Sequence, residues 1–96
     1  MTRILEVKDK NNKLVYITKE RWMHLCREHP EVAPYLFYFE ETLKNPTKFI
    51  DFDNSKKYFY KYFKNRISKE KYLLILVKYL NGEGFIITAY FKRNIK

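Results

Sequence analysis

The strongest pattern of hydrophobic and polar positions lies in Tyr72–Arg93, which reads YLLILVKYLNGEGFIITAYFKR. Two runs rich in Leu, Ile, Val, Tyr and Phe flank Asn81-Gly82-Glu83-Gly84, which holds both glycines of the sequence. Glycine supplies the positive φ that a tight turn needs, so the pattern predicts a central β-hairpin. Its first strand is apolar at nearly every position from Tyr72 to Val77, so cover on both faces is expected. The second alternates, with Phe85, Ile87, Ala89 and Phe91 on one side and Ile86, Thr88, Tyr90 and Lys92 on the other.

Upstream, Arg3–Lys8 and Lys13–Ile17 are short β-like runs separated by the polar turn Asp9-Lys10-Asn11-Asn12, which predicts an N-terminal hairpin. Thr18 suits a helix N-cap with Glu20 in the first turn, and a helix over Lys19–Glu28 follows. At helical spacing Trp22, Met23, Leu25 and Cys26 gather on one side, with His24 almost opposite among Glu20, Arg21, Arg27 and Glu28. Pro30 disfavours helical geometry at His29 and ends the helix. Pro34 suits a first helical position, and Leu36, Phe39 and Leu43 recur at helical spacing up to Asn45-Pro46, which predicts a second helix over Pro34–Lys44.

Thr47–Phe52 reads as a short strand and Asp53-Asn54-Ser55 as a turn. In Lys57–Lys64, Tyr58, Tyr60 and Tyr62 share one face while Phe59, Lys61 and Phe63 share the other. This arrangement sets the Phe pair against the helices and the Tyr stripe on the more open face. Asn65–Lys71 is a polar, basic connection. In order the elements are β-β-α-α-β-β-β-β, an α+β domain spanning 1–96. The N-terminal hairpin precedes two helices packed on one face of a four-stranded antiparallel sheet.

Composition narrows the function. Lysine and arginine total 20 against 11 acidic residues, a formal net charge of +9 on 96 residues, so polyanionic partners are expected, with nucleic acid foremost. The nine tyrosines add rings able to stack on exposed bases. The single cysteine, Cys26, permits no internal disulfide and fits a reducing cytoplasm. With no apolar run near the length of a membrane span, a soluble cytoplasmic protein with no membrane association is expected. His24 and His29 are poorly spaced for one metal site, and no Gly-rich phosphate loop or nucleophile elbow is present, so neither a metal nor a cofactor is expected.

What remains is a set of groups able to move protons and hold phosphate without a metal: His24, His29, Tyr58, Tyr60, Lys61, Thr88, Tyr90 and Arg93. RNA can be cut by such a set, because its own 2′-hydroxyl is the nucleophile. The pattern Trp22-Met23-His24-Leu25-Cys26-Arg27-Glu28-His29-Pro30-Glu31, then Asn45-Pro46, the Tyr58–Lys61 stretch and Ile87-Thr88-Ala89-Tyr90 resembles the phage-type Barnase-EndoU-colicin-RelE-like nuclease domains. The resemblance spans roughly residues 18–93. It implies a small metal-independent RNase fold of the kind found in toxins and phage-associated proteins, acting on RNA. A further reading is a component of a toxin–antitoxin pair, for which an acidic antitoxin or immunity partner is the expectation.

On that resemblance His24 matches the helix histidine, and Thr88 and Tyr90 match terminal-strand positions, giving a catalytic set of His24, Thr88 and Tyr90. Arg27, Tyr58, Tyr60, Lys61, Lys92 and Arg93 form the expected nucleic-acid-binding set, although strict alternation turns Arg93 away from Thr88 and Tyr90. His29, before Pro30, reads as a helix-end residue capping carbonyls. The alternative function is a non-enzymatic nucleic-acid-binding module using the same basic aromatic face.

Overall fold

The structure is a computed structural model that describes residues 2–53 and 55–95, so Asn54 of the expected turn lies outside the described residues. Its strands are β1 (Arg3–Lys8), β2 (Leu14–Thr18), β3 (Lys48–Asp51), β4 (Lys56–Tyr62), β5 (Tyr72–Leu80) and β6 (Glu83–Lys92). The α-helices are α1 (Lys19–Glu28) and α2 (Leu36–Lys44), joined by a 3-10 helix over Pro30–Tyr35. The class is α+β, as the patterning predicts.

The sheet is larger than the expected four-stranded antiparallel one. Six strands lie in the order β1-β2-β6-β5-β4-β3, and the N-terminal hairpin belongs to the same sheet. β2 pairs in parallel with β6, Leu14–Tyr16 against Glu83–Phe85, which makes the sheet mixed. The reason is burial. Val15 and Ile17 of β2 are fully inaccessible, and an isolated two-stranded hairpin has no means of covering them.

Thr18 caps α1 as expected, its hydroxyl oxygen accepting from the Arg21 N–H at 3.2 Å. Leu25 is the buried residue of α1, and Trp22 sets its ring edge-on to Phe39 of α2 at 5.6 Å. Met23 is not on the apolar side; it is 49% exposed. Pro34 does not open the second helix. Pro30 and Pro34 both lack the N–H donors of an α-helical ladder, and the chain takes the tighter 3-10 winding before α2 begins at Leu36. Both helices bury their apolar residues against one face of the sheet, where Phe59, Leu73, Ile75, Val77, Ile86, Ala89 and Phe91 meet Leu25, Phe39 and Leu43.

The two glycines do different work. Asn81 and Gly82, at φ +55 and +83, make the turn, whereas Gly84 lies inside β6. A Cβ on Gly84 would come within 2.7 Å of Val77 Cγ1 and 2.8 Å of Tyr79 Cε2, so it is the close packing of β5 that demands glycine there. β6 also departs from strict alternation. Leu76 faces Thr88 but Val77 faces Ile86, leaving Ile87 as a bulge. In consequence Ile86, Ala89 and Phe91 share the helix-covered face, and Phe85, Thr88, Tyr90 and Lys92 share the other, a different division from the expected one.

Two polar features lock the ends of the sheet. Asp9, 5% exposed, accepts from the Asn11 and Lys13 N–H groups and from the Tyr79 hydroxyl at 2.6 Å, tying the first turn to β5. Burial, and then the Asp9 carboxylate, push the Tyr79 hydroxyl far above the ordinary tyrosine range. Arg66, in the polar β4–β5 connection, is buried with its guanidinium 3.6 Å from the Phe91 ring centre and Nη1 donating to the Glu70 carbonyl.

Candidate functional site

The face without helices is ordered in rows, because paired residues of neighbouring strands stand side by side. From β6 towards β3 one row runs Tyr90, Leu74, Tyr60, Lys48, and the next runs Thr88, Leu76, Tyr58, Ile50. Lys92, Tyr72 and Tyr62 make the row on one side, and Phe85, Lys78 and Lys56 the row on the other. The alternation in β4 thus sorts its residues as predicted, with the tyrosines opposite the helices.

Charge on this face is one-sided. In β3 to β6 its cations are Lys48, Lys56, Lys78 and Lys92, and its carboxylate is Glu83 at the hairpin end. Arg3 binds Glu83 at 3.2 Å and Glu6 of β1 at 2.9 Å while lying 3.6 Å over the Tyr16 ring. Those carboxylates, Glu83 foremost, hold the Arg3 guanidinium above its ordinary range. Tyr60 is only 6% exposed, packed among its neighbours, and Leu74 beside it is 1% exposed. Burial, followed by Tyr90 and Tyr58, pushes the Tyr60 hydroxyl up, so it stays a neutral donor at physiological pH. Tyr60 is therefore a floor of the face rather than a projecting ring.

The edge of β6 carries a histidine. β2 pairs with β6 only as far as Phe85 because its chain turns away at Thr18 to start α1, and past that point no strand among the described residues lies on that edge. The end of α1 and the 3-10 helix pass there. Pro30 forces His29 out of helical geometry, to φ −134 and ψ 73, and Val32 anchors the segment by full burial. The His29 ring thereby stacks on Tyr90, with ring centres 5.1 Å apart and planes 25° apart. Its Nδ1 lies 3.8 Å from the Glu31 carboxylate. The helix cap itself is made by the His29 backbone N–H, which donates to the Leu25 carbonyl at 2.7 Å, not by the side chain expected to cap carbonyls.

The candidate residues do not all converge. Thr88, Tyr90, Lys92, Tyr58 and Tyr60 share the open face. His24 lies on the exposed side of α1, 3.4 Å from Glu28, and lines a shallow hollow with Thr18, Glu20 and Arg21. An adjoining hollow is lined by Tyr16, Ile17, Thr18, Arg21, Phe85 and Ile86. Arg27 is exposed on α1, and Arg93 is exposed just beyond β6. Lys61 is on the opposite, helix-covered face, donating to the Asn45 carbonyl at 2.8 Å and pairing with Glu41 at 3.5 Å.

Tyr72 and Lys48 take prominent places that the patterning did not assign to the site, and so does His29, which belongs to the expected proton-moving groups but not to the expected catalytic set. The signal for His29 was Pro30, which frees the preceding side chain from the helix surface. Lys48 and Tyr72 become visible only once register is known. Cys26 is half-buried, and that burial pushes its thiol up, consistent with a packing role. Among the described residues no three His, Cys, Asp or Glu side chains gather as a ligand set, and no helix is long and apolar enough to cross a membrane.

No protein-family model, no curated protein and no solved structure matches this chain.

Proposed function

We propose that the chain is a metal-independent endoribonuclease whose site runs along the edge of β6, with His29 and Tyr90 as its proton-handling pair. The observation that carries this reading is the His29 ring stacked on Tyr90, beside Glu31, at the margin of a face bearing four lysines. With Nδ1 turned to Glu31, Nε2 is the nitrogen that exchanges a proton with the substrate. The ribose 2′-hydroxyl gives its proton to that base and its oxygen forms a bond to the adjacent phosphorus. The bond from phosphorus to the 5′-oxygen breaks, and the leaving oxygen takes a proton from the Tyr90 hydroxyl. The products are a 2′,3′-cyclic phosphate and a free 5′-hydroxyl. Thr88 contacts the reacting phosphate and Lys92 offsets the charge that builds on it.

The test is incubation of the purified protein with mixed RNA in EDTA, beside His29→Ala and His24→Ala, with the product ends identified. Cleavage in EDTA leaving cyclic phosphate ends is expected, with a loss of about 10²–10⁴-fold in His29→Ala and little change in His24→Ala. A loss confined to His24→Ala would move the site to the hollow at the start of α1. RNA left intact at high protein concentration would overturn the activity. Salt-sensitive binding of that intact RNA would favour the second reading, a nucleic-acid-binding module, which the same basic aromatic face supports.

A further inference from the structure

Across the open face from the His29–Tyr90 pair lies a trough lined by Lys48, Ile50, Tyr72, Asn94 and Ile95. Lys48 and Ile50 belong to β3, three strand spacings or about 14 Å from β6, while Tyr72 belongs to β5 and Asn94 and Ile95 follow β6, so the trough runs from β3 back to the chain just beyond Lys92. Its chemistry is mixed in a particular way. Ile50, Ile95 and Tyr72 are apolar walls, the Asn94 amide both donates and accepts hydrogen bonds, and Lys48 is the cation at the rim. Beside it Tyr62, 43% exposed, tilts against Tyr72 with ring centres 5.1 Å apart and planes 56° apart, so the two rings form a wedge rather than a stack.

Building on the proposed ribonuclease activity, we infer that this trough takes one unstacked base and its phosphate, and that the substrate is single-stranded RNA laid across β6 to β3. A cationic groove for duplex phosphates has no use for an apolar wall or an amide. A base turned out of its stack offers an apolar face to Tyr72 and Tyr62 and a hydrogen-bonding edge to Asn94, while its phosphate meets Lys48. In a duplex those base faces are already stacked on their neighbours and out of reach. The paucity of carboxylates across these strands, with Glu83 held by Arg3, leaves a path of one charge sign from the trough to the β6 edge.

The experiment is fluorescence anisotropy of a short end-labelled RNA strand and of its blunt duplex, in the His29→Ala protein so that the probe survives, with near-UV circular dichroism confirming the fold of each variant. The single strand is expected to bind at least about tenfold more tightly than the duplex, and Tyr62→Ala to weaken single-strand binding about tenfold. Lys48→Ala should reduce the slope of log affinity against log salt by about 0.7, and Lys44→Ala, on α2 beside Glu40, should change neither. Equal binding of strand and duplex, or unchanged binding by both Tyr62→Ala and Lys48→Ala, overturns the inference. So does a face that self-associates in sedimentation and binds no RNA. The two proposals fail separately. A parent protein that never cuts RNA, yet loses single-strand binding in these variants, retains the trough without the nuclease. One that cuts RNA at parental rates with both substitutions retains the nuclease without the trough.

Discussion

On its helix-covered face β4 carries Lys57, Phe59 and Lys61; on its open face it carries Lys56, Tyr58, Tyr60 and Tyr62. The residue types are nearly the same, yet the surroundings differ. Lys57 pairs with Asp51 at 3.3 Å and Lys61 with Glu41 at 3.5 Å, so the cations of the covered face are neutralised around the rim of the core. On the open face Lys56 lies 6.0 Å from the Phe52 ring centre and Lys92 lies 5.8 Å from that of Tyr60. A net charge of +9 says little by itself. Lys57 also lies 5.2 Å from the Phe49 ring centre and 5.5 Å from that of Tyr79, so lysines meet rings on both faces, and what marks the covered face is the ion pairs that hold Lys57 and Lys61 to the rim of the core.

The comparison is sharpened most by truncating one residue on each face. Phe59→Ala, at a fully buried position between helices and sheet, should cost roughly 3–5 kcal/mol in urea unfolding, whereas Tyr58→Ala should cost much less and weaken RNA binding instead. Equal stability costs would erase the distinction between the faces. Next, Gly84→Ala pushes a methyl into Val77 and Tyr79 on the covered side and should destabilise by about 1–3 kcal/mol, read as a lowered thermal midpoint.

Tyr79→Phe should cost about 1–2 kcal/mol by removing the hydrogen bond to Asp9, in a setting that water partly reaches. Its sign with pH is definite. The folded state holds the Tyr79 hydroxyl protonated beyond the range in which the unfolded chain ionises, near pH 10. The stabilisation is therefore complete below that pH and is lost as pH rises above it. Denaturation curves at alkaline pH should fall more gently for Tyr79→Phe than for the parent. The smallest effect contrasts two lysines. Lys61→Met should change stability by no more than about 1 kcal/mol and leave RNA binding alone, while Lys78→Met should leave stability alone and lower the salt slope of binding by about 0.7.

Much of this architecture is legible from local pattern. The hairpin around Asn81-Gly82, the Thr18 cap and the sorting of β4 into phenylalanine and tyrosine faces each follow from a few neighbouring residues. The parallel joining of β2 to β6 does not, since three paired residues remote in sequence leave no periodic trace. The bulge at Ile87 is equally hidden: Thr88 fits either strand phase, and only the fit of Val77 to Ile86 decides it. Helical periodicity also favours His24 over His29, because His29 falls outside the periodic segment. Its path to Tyr90 depends on where β2 leaves the sheet, a tertiary circumstance.

The partnership between β2 and β6 bears on when the domain comes into being during synthesis. Asp9 and Tyr79 bond across 70 residues, and His29 waits on Tyr90 in the same fashion. Contacts so remote along the chain make for slow, late closure. A nascent chain that has emerged only as far as β5 holds the histidine and most of the lysines but no Tyr90, and it has neither the hairpin return nor the edge on which the ring pair is built. Under the proposed activity the growing polypeptide is harmless to its own message and ribosome. On that proposal, the activity arises only when β6 docks.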